Sequence, residues 1–110
     1  MPVLAEHLAT MDDPGVWLEV FNGRDTAFHV AIAQAGGNPL VAEMTTALRN
    51  AMRVTLLERL QNEPDYRSVT MRLCREHHEI HHALLAGDGA RAADLVEAHI
   101  DGFYNRRAPA

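Results

Sequence analysis

Residues 76–100 read EHHEIHHALLAGDGARAADLVEAHI, and this stretch decides the fold. Gly87-Asp88-Gly89 interrupts it at the centre, where two glycines cannot sustain a helix and an aspartate can cap a new one. His77 and His99 each lie 11 residues from Asp88. If both flanks are helices folded back as a hairpin, a rise of ~1.5 Å per residue puts the two imidazoles about 15 Å from the turn, at the same height. Upstream, RDTAFH carries Asp25 and His29 at i, i+4, so their side chains share one helix face. Three histidines and an aspartate that can converge among helices have the character of a metal site.

Working outward, Pro and Gly cluster at a few points and leave long stretches free of breakers. A first helix is predicted from about Val3 to Met11, with Val3, Leu4, Leu8 and Met11 on one side. It ends at Asp12-Asp13-Pro14-Gly15. A second runs from about Val16 to Ala35, with Trp17, Val20, Phe21, Phe28 and Ile32 at helical spacing, and stops at Gly36-Gly37. Asn38-Pro39 combines an N-cap with a first-turn proline and opens a third helix. That helix carries Leu40, Met44, Leu48, Met52, Leu56 and Leu60 and stops near Asn62, before Pro64. Asp65 caps the fourth, which carries Val69, Leu73, Ile80 and Leu84 to Gly87. Asp88 caps the fifth, which carries Leu95, Val96, Ile100 and Phe103. The tail Arg106 to Ala110 is expected to fray. No segment alternates with period two, so the expected fold is all-α, an antiparallel bundle of about five to six helices.

The 110 residues suit one domain, spanning 1–110, and hydrophobic residues at 47% suffice for a core that is aliphatic and methionine-filled. No apolar run reaches the ~18 residues of a membrane span, and no signal peptide opens the chain, so no membrane partner is expected. The single cysteine, Cys74, rules out an internal disulfide and fits a cytoplasmic location. The net charge of −5 argues against this segment gripping a phosphate backbone.

Each candidate ligand interrupts a stripe that should face the core. Asp25 and His29 share a face with Phe21, Phe28 and Ile32; His77 with Leu73, Ile80 and Leu84; His99 with Ala92, Val96 and Phe103. A buried polar group costs ~1–3 kcal/mol if it finds no partner. Two readings account for the interruptions. The four residues either are core or boundary groups satisfied by hydrogen bonds, or they bind a divalent cation that neutralises the carboxylate and uses the imidazole lone pairs. His81, i+4 from His77, can reach the same cavity. His78 and His82 point elsewhere and are expected to be solvated. His7 has no partner at a useful spacing, and Cys74 reads as a small buried hydrophobe.

The strings DTAFHVAIAQAGGNPLV and EHHEIHHALLAGDGARAADLVEAHI resemble the ligand-binding C-terminal (FCD-type) domain of bacterial GntR transcriptional regulators of the FadR subfamily. Asp25, Phe28, His29, Gly37-Asn38-Pro39-Leu40, Glu76-His77, Ile80, Ala83, Gly87-Asp88, Ala92 and His99 fall into the family's pattern in order. The resemblance runs from about Trp17 to the C-terminus, with the middle matched only by helical character. It implies a FadR C-terminal-domain-like bundle in which Asp25, His29, His77 and His99 hold a divalent metal, zinc or nickel first and manganese or iron as compatible alternatives. It also implies a small organic-acid effector, a homodimer, and arginines beside the cavity on the helix after Asn38-Pro39. Arg49 and Arg53 fill that place, although a solvated flank would account for them equally. The family's winged helix-turn-helix domain, and the first long helix of its bundle, are expected to be absent, so DNA would be reached only through a missing N-terminal domain.

The reading is therefore a non-catalytic regulatory module whose effector site comprises Arg49, Arg53 and His81 beside the metal. Two rivals remain. A small metal-dependent enzyme would exploit open coordination positions, with Glu76 or Glu79 as the arguable general base. A plain structural bundle would carry its histidines as boundary residues.

Overall fold

The computed structural model describes residues 2–104, with side chains over 3–100. The expected fray at Arg106 to Ala110 and the Phe103 side chain lie outside the described residues. Among those described, five α-helices and no strand occur: α1 (Pro2–Asp12), α2 (Leu18–Ala35), α3 (Pro39–Gln61), α4 (Tyr66–Leu85) and α5 (Gly89–Tyr104). None is long and apolar enough to cross a membrane. The chain divides into two compact units between Val69 and Thr70.

The helix limits follow from local chemistry. Asn38 Oδ1 accepts hydrogen bonds from the backbone N–H groups of Leu40 (3.1 Å) and Val41 (3.3 Å), and Pro39 occupies the first helical position. Asp65 Oδ1 accepts from the Ser68 N–H at 3.3 Å at the start of α4. The α4–α5 turn uses its residues twice. Gly87 takes the left-handed φ of 73°, while the N–H of Asp88 bonds to the Ala83 carbonyl at 2.9 Å and that of Gly87 to the Leu84 carbonyl at 3.1 Å. These two hydrogen bonds close α4 as a Schellman motif. The Asp88 carboxylate then accepts from the Arg91 N–H at 3.0 Å and opens α5.

In the first unit, α2 packs on both α1 and α3. Leu4, Leu8 and Met11 of α1, Phe21 and Phe28 of α2, and Leu56 and Leu60 of α3 are buried. The side chain of Asn22 donates to the Arg53 carbonyl at 2.9 Å, and Gln61 reaches Glu19 at 3.5 Å, which sets α2 and α3 antiparallel. The second unit buries Leu73, His77, Ile80 and Ala83 of α4 and Ala92 and His99 of α5.

Several predicted core positions are solvated instead. Trp17 is 77% exposed, and Val3 and Val20 are exposed as well. Of the α3 stripe, Leu40, Met44 and Leu48 are exposed, Met52 is half-buried, and only Leu56 and Leu60 are buried. The reason is geometric. At 3.6 residues per turn, each step of four residues drifts by about 40°, so six residues at that spacing wind about 200° around the helix and cannot share one face. The buried face of α3 is that of Arg49, Leu56 and Leu60. Cys74 is half-buried.

His7 does have a partner: its Nδ1 lies 3.0 Å from Arg24 Nη1 on α2. A guanidinium only donates, so the imidazole accepts and is neutral. Burial, and then the Arg24 charge, push the His7 pKa below 6.5, against a smaller upward pull from Glu6. Because the folded value is depressed, the unfolded chain takes the proton first; the contribution is present above 6.5 and is lost as the pH falls. Acidification below 6.5 is expected to lower the Tm of the wild type more than that of His7→Gln, whose amide oxygen accepts from Arg24 without titrating. Parallel Tm–pH curves for the two proteins would refute this.

Candidate metal centre

The first half of the candidate centre lies on α2. Asp25 and His29 are buried at 3% and 4% exposure, with His29 Nε2 3.3 Å from Asp25 Oδ1. Their i, i+4 spacing places them one above the other, on a face shared with the fully buried Phe21 and Phe28. The Phe28 ring meets the His29 ring edge to face, with centroids 5.4 Å apart at 81°. That contact restricts the imidazole plane, so His29 is held by packing as well as by the carboxylate.

The second half lies on the α4–α5 hairpin. His77 is fully buried and His99 is 5% exposed, and their ring centroids are 4.6 Å apart, tilted by 58°. The equal distances from Asp88 therefore do set both imidazoles at one height. His99 Nδ1 lies 2.8 Å from Glu76 Oε1, and the other oxygen of the same carboxylate lies 3.7 Å from Arg72 Nε. Glu76 is thus engaged on both oxygens. Glu79, the other arguable base, is exposed.

Asp25, His29, His77 and His99 are all buried, and each offers one ligand atom. One carboxylate and three imidazoles are the donor types that suit a borderline divalent ion such as zinc or nickel. Histidines kept on faces that otherwise carry Phe, Leu and Ile are the observation that fits this set to a metal.

His81 is half-buried and does not belong to that group. Burial lowers its pKa, with the neighbouring His78 and His82 adding to the effect, so the ring is neutral near pH 7. His78 and His82 are exposed, as expected.

The two arginines separate. Arg49 is buried at 8% exposure, on the face of α3 that also buries Leu56 and Leu60. Arg53, one turn on, is exposed and lines a cavity of about 420 Å³ together with Glu19, Asn22, Asn50, Val54 and Leu57. Asn22, which the sequence reading passed over, is 1% exposed. Its amide donates to the Arg53 carbonyl, and this fixes the amide's orientation, because the reverse would oppose two acceptors. Its Oδ1 is left buried without a hydrogen-bond partner among the described residues. A polar residue three positions before Asp25, on the same helix face, was the available signal.

The family model for the FCD domain matches residues 2–102. No curated protein and no solved structure matches the chain.

Proposed function

The chain belongs to the FCD domain family, the C-terminal regulatory, ligand-binding domain of GntR-family regulators, and from that premise we propose that it senses a small carboxylate metabolite at a divalent metal held by Asp25, His29, His77 and His99. The observation that carries the metal is the buried donor set of one carboxylate and three imidazoles. Burying four titratable groups carries a desolvation cost, and one divalent ion would offset it by neutralising the carboxylate and taking up imidazole lone pairs. When bound, such a metal would offer an open coordination position to an effector oxygen. Zinc and nickel suit these donors best; manganese and iron are compatible.

Arg49, Arg53 and His81 are the proposed effector residues of this chain. A guanidinium binds a carboxylate through two parallel hydrogen bonds, and a buried one does so with less competition from water. Arg53 already lines a cavity large enough for a small acid. Asn22 Oδ1 beside it wants a donor. Glu76 is held by His99 and Arg72 and Glu79 is exposed, so neither carboxylate is placed as the base the rival enzyme would use. In the full regulator, occupancy would shift the arrangement of a homodimer and of an N-terminal DNA-binding domain. An effector does this only by binding one arrangement more tightly than another.

The test is calorimetric titration of the zinc-loaded chain with a panel of small acids, including lactate, malate, citrate and gluconate. At least one should bind saturably, raise Tm and be recovered unchanged. Arg49→Ala is expected to weaken that binding by about ten- to a hundred-fold, the loss of a charge-assisted contact of ~1.5–3 kcal/mol. Chemical conversion of the acid would replace the regulatory reading with the enzyme.

A further inference from the structure

We propose that Glu76 is the positioning residue of the metal centre: by accepting the Nδ1–H of His99 it fixes that imidazole's tautomer and aims Nε2 as the ligand atom. The proposal rests on the metal reading above, and it comes from geometry within the α4–α5 hairpin. His99 Nδ1 and Glu76 Oε1 are 2.8 Å apart, a short, strong hydrogen bond. A carboxylate oxygen only accepts, so Nδ1 carries the hydrogen. In a neutral imidazole the lone pair then resides on Nε2, which is the form a divalent metal requires.

The surroundings make the arrangement directional. His99 is buried, whereas Glu76 is 29% exposed at its side chain, so the carboxylate reaches inward from the boundary of the unit to the ring. Its second oxygen faces Arg72 one turn back on α4, at 3.7 Å. Arg72, Glu76 and His99 therefore form a chain running from the half-exposed face of α4 to the buried ring. At 3.7 Å the partly buried i, i+4 pair is a loose contact, so Arg72 steadies Glu76 and the short bond does the aiming. A carboxylate on the far nitrogen also raises the basicity of the ligating one, and loss of such a partner weakens metal binding by about 10–100-fold. The neighbouring His77 explains why aiming is needed. Its ring centroid is 4.6 Å from that of His99, and two imidazoles that close can serve one cation only if each turns a lone pair, not an N–H, toward it.

The experiment measures zinc affinity by chelator competition, and the tautomer of His99 by nitrogen-15 NMR of the metal-free protein. Glu76→Ala should lower zinc affinity by about 10–100-fold and shift His99 out of the pure Nδ1–H form. Glu76→Gln, whose amide oxygen still accepts from Nδ1, should keep the tautomer and lose less affinity. Glu79→Gln, at an exposed carboxylate three residues on, should match the wild type in both readouts. Circular dichroism of each metal-free variant separates a folding failure from an aiming failure, and Glu76→Gln keeps the question open to test if Glu76→Ala does not fold. An Nε2–H tautomer for His99 in the wild type, or wild-type zinc affinity in a folded Glu76→Ala, overturns the proposal alone. A wild type that takes up no zinc overturns the metal reading and this proposal with it.

Discussion

Purified His77→Ala is expected to take up no zinc under conditions that load the wild type, with affinity reduced by more than about a hundred-fold. Loss of a mere positioning partner already costs about 10–100-fold, and His77 is a proposed ligand. The ring is fully buried on a helix face with Leu73 and Ile80, where leucine would pack at no polar cost. Burying an imidazole there carries a desolvation cost that a leucine side chain does not. The two effects have opposite signs, so they can be read separately. His77→Leu fills the site with apolar volume, and its metal-free form should melt at or above the wild-type temperature. Zinc should raise the Tm of the wild type and leave both variants unmoved. Metal analysis of the purified proteins, with melts in the presence and absence of zinc, checks all of this. Full metal retention by His77→Ala would remove His77 from the centre.

The largest loss of stability is expected from Phe28→Ala, at about 3–5 kcal/mol in urea unfolding. Phe28 has no exposed surface, and a total stability of about 5–15 kcal/mol leaves little margin for a cavity of that size. The ring also makes a T-shaped contact with His29, so truncation removes a packing partner of the imidazole as well. Phe28→Leu separates these roles. It keeps most of the volume and should cost less than about 1.5 kcal/mol, yet it lacks the aromatic edge. A Phe28→Leu protein that folds but binds zinc more weakly would assign the edge contact to His29 orientation. A Phe28→Ala protein within about 1 kcal/mol of the wild type would remove Phe28 from the core altogether.

Much of the candidate centre is legible in the sequence. Asp25 and His29 meet because i, i+4 neighbours on a helix always do. His77 and His99 meet because a Schellman turn at Gly87 with an N-cap at Asp88 sets the hairpin register, and both pieces stand in the text of the turn. The helix limits at Asn38, Asp65 and Asp88 were equally local. The partners that escaped the reading are those with no spacing rule: His7 with Arg24, Asn22 with the Arg53 carbonyl, and Glu76 with His99. Each joins two helices, and each depends on how one helix is rotated about its axis against the next.

The same division explains the errors on α3 and at Trp17. The helical period determines which residues of one helix lie together, because backbone hydrogen bonds and the glycine, proline and capping stops are all short-range. It does not determine which of two apolar faces a neighbour will cover. Leu40, Met44 and Leu48 are as hydrophobic as Leu56 and Leu60, but only the face that carries Leu56, Leu60 and Arg49 is buried. From its sequence alone, the chain is all-helical, turns where it does, and carries aspartate and histidines on core faces. Which faces are buried, and which distant polar group completes each buried one, was decided only in the tertiary structure, because burial belongs to a pair of surfaces and not to either strand of sequence.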